Sequence, residues 1–138
     1  MNITDPFDFD HDRERRTGFP EVIYGQSKTP DEITTALLSI ADRSGRALAT
    51  RVDGDHGADI AASVPQAQWH ERCRCISVER TVLPRQGQVA VICAGTSDLA
   101  VAQEAQLTAD LAGANTELVA DAGVAGIHRI LAHDELLR

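Results

Sequence analysis

Apolar residues recur at helical spacing early in the chain: Ile33, Ala36, Leu37, Ile40 and Ala41 fall on one face of a 3.6-residue period. Thr29-Pro30-Asp31-Glu32 precedes them and is a strong helix start. Thr29 can cap, Pro30 suits the first helical position, and Glu32 can reach back as a capping-box partner. Gly45 supplies the stop. Around this helix the pattern shortens. Val22, Ile23 and Tyr24 read as a short strand after a loop punctuated by Gly18 and Pro20, and residues 47–52 and 74–78 read as further strands. Beside and within the last of these, Cys73, Cys75 and Ser77 share one face by the period of two. Asp53-Gly54-Asp55-His56-Gly57 reads as a loop, followed by a short helical piece near 59–63 that Pro65 ends. Residues 1–16 are polar and charge-dense, with Phe7 and Phe9 as apolar anchors, and read as a loosely held arm or a short helix.

After Pro84-Arg85-Gln86-Gly87 the pattern changes. Residues 88–93 (QVAVIC) form a continuous apolar run, as expected of a parallel strand buried on both faces. A turn at Ala94-Gly95-Thr96-Ser97 leads into an Ala-rich helix over 98–112, which Gly113 stops. Residues 117–121 are a second apolar strand, followed by Ala122-Gly123-Val124-Ala125-Gly126 and a helix near 127–133. Strand, helix, strand, helix is the opening of an open parallel α/β sheet. The expected fold is therefore α/β: a small N-terminal α+β region over 1–86, then the first two strand–helix units of a parallel sheet over 87–138. The pattern stops inside or just past a helix at Arg138, and two parallel strands do not cover their own edges. The expectation is a natural protein that continues.

Composition narrows the function classes. The chain has 138 residues, 43% hydrophobic and 25% charged, which excludes wholesale disorder. Its formal charge of −8 leaves no basic stripe to neutralise phosphates along a nucleic acid. There is no apolar run of membrane-span length and no positively charged leader, so no membrane partner is expected and the expected address is the cytoplasm. Three cysteines, Cys73, Cys75 and Cys93, are too few and too odd for a disulfide scaffold. His70, Cys73 and Cys75 lack a second ligand pair at zinc spacing. Cys93 ends an apolar strand, where a thiol is ordinarily core. Asp53, Asp55 and Asp59 lack a calcium-loop pattern.

Two loops carry the candidate chemistry. In open α/β sheets ligands bind beyond the carboxyl ends of the strands, and there the chain places Gly95-Thr96-Ser97-Asp98 and Gly123-Val124-Ala125-Gly126-Ile127-His128-Arg129. Thr96, Ser97 and a helix start can hold a phosphate, while Asp98 can accept from sugar hydroxyls. The competing reading is that Ser97 caps the helix and Asp98 complements its dipole. In the second loop Gly126 permits close backbone approach, the His128 imidazole can exchange a proton with a ligand, and Arg129 can pair with a phosphate or carboxylate. The competing reading there is a first-turn histidine and a solvated arginine.

Arg16-Thr17-Gly18-Phe19-Pro20-Glu21-Val22-Ile23-Tyr24-Gly25, taken with the GTSD and GIHR loops, resembles the LarB family, the pyridinium biscarboxylic acid mononucleotide synthases of nickel-pincer nucleotide cofactor biosynthesis. The catalytic half of that family is similar to the PurE-type aminoimidazole ribonucleotide carboxylases. The resemblance covers the chain from about Asp10 onward. It implies a carboxylase/hydrolase that carboxylates the pyridinium ring of nicotinic acid adenine dinucleotide and then cleaves the phosphoanhydride to release AMP. A cysteine adds to the ring in that chemistry, breaks its aromaticity and makes an enamine-like carbon able to take carbon dioxide. By resemblance Gly95, Thr96, Ser97 and Asp98 hold the phosphate and ribose end, with Gly126, His128 and Arg129 opposite. Arg16, Thr17, Gly18 and Glu21 form a candidate lid or accessory segment.

The family's nucleophilic cysteine belongs to a half that this sequence does not contain, and none of the three cysteines matches its motif. This chain is therefore expected to be inactive alone. The implied co-substrate is carbon dioxide or bicarbonate, the implied metal is magnesium on the phosphates, and the complete protein is implied to be a homo-octamer. Two alternatives stay open: a non-catalytic nucleotide-binding or partner-docking module, and a PurE-type purine-biosynthesis carboxylase. The RTGFPEVIYG stretch speaks against the latter.

Overall fold

The computed structural model describes residues 9–138. The chain divides into two compact units, one ending at Val82 and one of Leu83–Arg138. Each is mixed α/β.

The first unit runs α1 (Arg13–Thr17), β1 (Val22–Tyr24), α2 (Pro30–Ser44), β2 (Arg46–Thr50), α3 (Gly54–Ser63), β3 (Ala67–His70) and β4 (Cys75–Glu79). Its strands form one sheet in the order β1-β2-β4-β3. β1 and β2 are parallel, joined by α2 as the crossover, and the other pairs are antiparallel. The α2 start is built as the sequence requires. The Glu32 N–H donates to Thr29 Oγ1 at 3.3 Å, and Glu32 Oε2 accepts from the Thr29 N–H at 2.7 Å. Gly45 closes the helix at φ 71°, a left-handed value that suits glycine, with its N–H on Ala41 O. Ile33, Ala36, Leu37, Ile40 and Ala41 are all buried against Ile23, Ala47, Ala49, Ile76 and Val78 of the sheet. Phe9 packs on this core, whereas Phe7 lies outside the described residues.

The expected elements are present with several differences. The third helix starts at Gly54 rather than near 59, because Asp53 caps it by accepting the Asp55 N–H at 3.1 Å. The sequence pattern did not disclose β3, a four-residue strand that pairs with β4 as a hairpin. Residues 71–74 are the hairpin turn, closed by Arg74 N–H on Glu71 O at 3.2 Å, so Cys73 sits in the turn and not on the strand face with Cys75 and Ser77.

The second unit contains β5 (Gln88–Ile92), α4 (Leu99–Leu111), β6 (Asn115–Val119), a 3₁₀ turn (Val124–Gly126) and α5 (Ile127–Leu131). β5 and β6 pair in parallel, and α4 packs against both. The second strand lies two residues earlier than its apolar residues indicated. The expectation that β5 is buried on both faces is not met. Val89 and Ile92 are 39% and 40% exposed, because α4 is the helix that packs on this two-stranded layer among the described residues. No helix among the described residues is long and apolar enough to cross a membrane.

Candidate functional site

The two loops singled out in the sequence lie side by side at the carboxyl edge of β5 and β6. The Cys93 N–H donates to Val119 O at 2.9 Å, and the Ala122 N–H donates back to Cys93 O at 3.1 Å. A Cβ placed on Gly123 would come within 3.9 Å of Ala94, so the loops touch at their bases. In the first loop the chain turns through Asp98 N–H on Gly95 O at 3.1 Å. Asp98 is the N-cap position of α4, yet its side chain makes no capping hydrogen bond there. Thr96, Ser97 and Asp98 are exposed. Two hydroxyls and a carboxylate thus stand beside a helix start whose first amides no side chain of theirs occupies, an arrangement able to receive an anionic group.

The second loop is more engaged. Arg129 pairs with Asp121 at 2.5 Å, bridging α5 to the residues just after β6. The partners are 50% and 74% exposed, so the pair is weak and an incoming phosphate can compete for the guanidinium. A Cβ on Gly126 would lie 3.0 Å from His128 Cε1, so the imidazole sits close over the Gly126 backbone. His128 is exposed.

Arg16, Thr17, Gly18 and Glu21 belong to the first unit, and the structure supplies a physical account of them. Thr17 Oγ1 donates to Arg13 O at 2.8 Å and also contacts Phe19 O at 3.1 Å, ending α1. Gly18 continues that ending at φ 80°. Glu21 Oε2 accepts the Asp10 N–H at 2.7 Å, and Arg16 binds the Asp10 carboxylate, which that guanidinium holds below the usual carboxylate range. The segment is anchored on Arg46, which is 4% exposed. Arg46 pairs with Glu14 at 2.7 Å, donates to Gly18 O at 3.2 Å, and lies over the Phe19 ring at 5.4 Å. These contacts fold the stretch onto the first sheet.

The cysteines are all buried. Cys75 Sγ donates to Cys73 O at 3.3 Å, and His70 Nε2 lies 2.8 Å from Ser77 Oγ. Burial pushes the His70 ring below its ordinary pKa. Among the described residues no group of three or more His, Cys, Asp or Glu gathers that could hold a metal ion. The described residues thus hold no all-protein cage for magnesium, an ion more often held by one or two carboxylates together with phosphate oxygens.

One cavity was not foreseen. It measures about 450 Å³ and lies where β1 and β2 end, lined by Gly25, Lys28, Arg51, Asp53, His56 and Arg74 among others. The rule that ligands sit beyond the carboxyl ends of parallel strands would have found it. Applying that rule required knowing that β1 and β2 are parallel neighbours.

The LarB/PurE-like N-terminal domain family matches residues 4–80. An uncharacterized protein of Methanocaldococcus jannaschii is 33% identical over 140 residues, which cover 93% of this chain and 53% of that protein. The chain thus spans about half the length of the curated relative it matches.

Proposed function

Because the chain belongs to the LarB/PurE-like N-terminal domain family, we propose that it is the N-terminal part of a carboxylase/hydrolase acting on nicotinic acid adenine dinucleotide. In this reading the complete enzyme carboxylates the pyridinium ring and cleaves the phosphoanhydride, releasing AMP. The observation that carries the reading is the junction of the two loops at the edge of β5 and β6, with Thr96, Ser97 and Asp98 exposed beside a helix start. The hydroxyls and Gly95 receive a phosphate, and Asp98 accepts from ribose hydroxyls. Arg129 exchanges Asp121 for the anhydride or ring carboxylate, with His128 and Gly126 alongside. Magnesium belongs to this reading as an ion carried by the substrate's phosphates, with Asp98 as the carboxylate able to share it. Carbon dioxide or bicarbonate is the co-substrate. Cys73, Cys75 and Cys93 are buried and take no covalent role. The complete enzyme assembles as a homo-oligomer, an octamer by family likeness, in the cytoplasm.

The test uses the full-length protein. Asp98→Ala and Arg129→Ala each weaken dinucleotide binding by calorimetry about tenfold or more, the cost of a charge-assisted hydrogen bond. Unchanged affinity in both variants removes these loops from the site. Turnover of aminoimidazole ribonucleotide in place of the dinucleotide would transfer the protein to purine synthesis.

A further inference from the structure

We propose that the first unit carries an anion site of its own, in the cavity at the carboxyl ends of β1 and β2, and that its ligand is the phosphate group of a phosphorylated small molecule. Lys28, Arg51 and Arg74 line this single cavity of about 450 Å³. They come from three separate places: the loop after β1, the residue after β2, and the β3–β4 turn. Asp53 is the one carboxylate among the lining residues, and His56 completes the polar wall. Three cations against one acid is a local excess of positive charge in a chain whose formal charge is −8.

Gathering like charges costs free energy unless something offsets it, and surface cations in an acidic protein would ordinarily spread among the acids. The backbone is committed to the gathering. The Val52 N–H donates to Arg74 O at 2.9 Å, tying the chain beside Arg51 to Arg74. Gly25 N–H donates to Thr50 O at 2.7 Å, tying the loop after β1 to the end of β2. Ser27, Arg51 and Arg74 hold left-handed φ values of 68°, 53° and 51°, each unfavourable for a residue with a Cβ. The charge is not that of helix starts, because Thr29 and Asp53 already cap α2 and α3. The side chain of Arg74 enters no ion pair among the described residues.

The chemistry selects a compact, multiply charged oxyanion. The Arg74 guanidinium presents forked donors that match phosphate oxygens, Lys28 adds a point charge, and Arg51 contributes positive charge to the same wall. Asp53 disfavours a bare carboxylate of single charge, but its oxygen can accept from a hydroxyl on the ligand's organic part. A volume of this order fits a small phosphorylated molecule better than a lone ion.

The experiment is amide NMR of the chain titrated with inorganic phosphate, AMP and adenosine at low and moderate salt. The expected result is saturable shifts at residues 25–28, 51–56 and 74 with phosphate and AMP, none there with adenosine, and weakening with salt. Arg74→Gln and, separately, Lys28→Gln each reduce affinity at these amides about tenfold, whereas Asp98→Ala leaves it unchanged. Lys28 lies on an exposed loop, so its variant keeps the test decisive should Arg74→Gln disturb the turn. Absence of shifts at these amides, an equal response to chloride, or insensitivity to both substitutions overturns the proposal. Shifts confined to residues 95–98 would overturn it while supporting the loop site of the second unit.

Discussion

Gly57→Ala sets two well-known effects against each other within α3. Alanine is favoured over glycine in a helix interior by about 1 kcal/mol, so propensity alone predicts a more stable protein. Packing predicts the reverse. A Cβ on Gly57 would lie 2.4, 2.4 and 2.5 Å from three atoms of the Trp69 six-membered ring. Carbon atoms in contact sit about 3.5–4.0 Å apart, so the overlap exceeds about 1 Å. The indole cannot yield freely, because it is held on β3 and packs against the core of the first unit. Overpacking of this kind costs about 1–3 kcal/mol, and partial exposure of the displaced ring adds to it. The net expectation is a destabilisation of about 1–2 kcal/mol, after the propensity gain has been subtracted. Trp69 is the only tryptophan, so its emission reports the contact directly. Urea unfolding followed by that emission should show a lower midpoint and a red-shifted folded baseline. The added substitution Trp69→Leu should recover part of the loss. A Gly57→Ala protein more stable than the parent, with unchanged folded emission, refutes the packing argument.

Three further outcomes are expected. Thr29→Ala removes the oxygen that accepts the Glu32 N–H and should cost about 1 kcal/mol in chemical denaturation, with Thr29→Ser largely sparing it. Glu14→Ala removes a carboxylate that pairs with the buried Arg46 guanidinium and should cost about 1–3 kcal/mol, Glu14 being itself partly exposed; a loss no larger than that of an exposed pair such as Arg129–Asp121 would refute the anchoring role. Burial lowers the pKa of His70, so the unfolded chain takes up that proton first. Stability should therefore fall as pH drops below about 6.5 and level off below the folded pKa, and His70→Phe should flatten that part of the profile when midpoints are measured from pH 8 to pH 5.

The elements legible in the sequence are those whose causes lie within a few residues. The Thr29 capping box, Pro30 and the Gly45 stop act through bonds spanning three or four residues, so α2 appears where its pattern placed it. The alternation of strand and helix after residue 87 likewise led to a parallel pair with adjoining loops, which the Cys93 and Ala122 hydrogen bonds realise. The likeness of residues 16–25 to one family was readable too, though the contacts of Arg16, Thr17, Gly18 and Glu21 were not. Gly18 and its neighbours Glu14 and Phe19 meet Arg46, which lies far along the chain and is buried only once β2 has paired.

What tertiary structure alone decided depends on distant segments meeting. β3 is four residues of mixed polarity, and it becomes a strand because β4 offers an edge to pair with. β5 is apolar enough to be buried on both faces, yet burial also needs a covering layer, which no local pattern encodes. Lys28, Arg51 and Arg74 are scattered over 47 positions and look like three solvated charges. The sheet order β1-β2-β4-β3 turns them into the wall of one cavity, because strand pairing, not spacing along the chain, determines which loops share an edge.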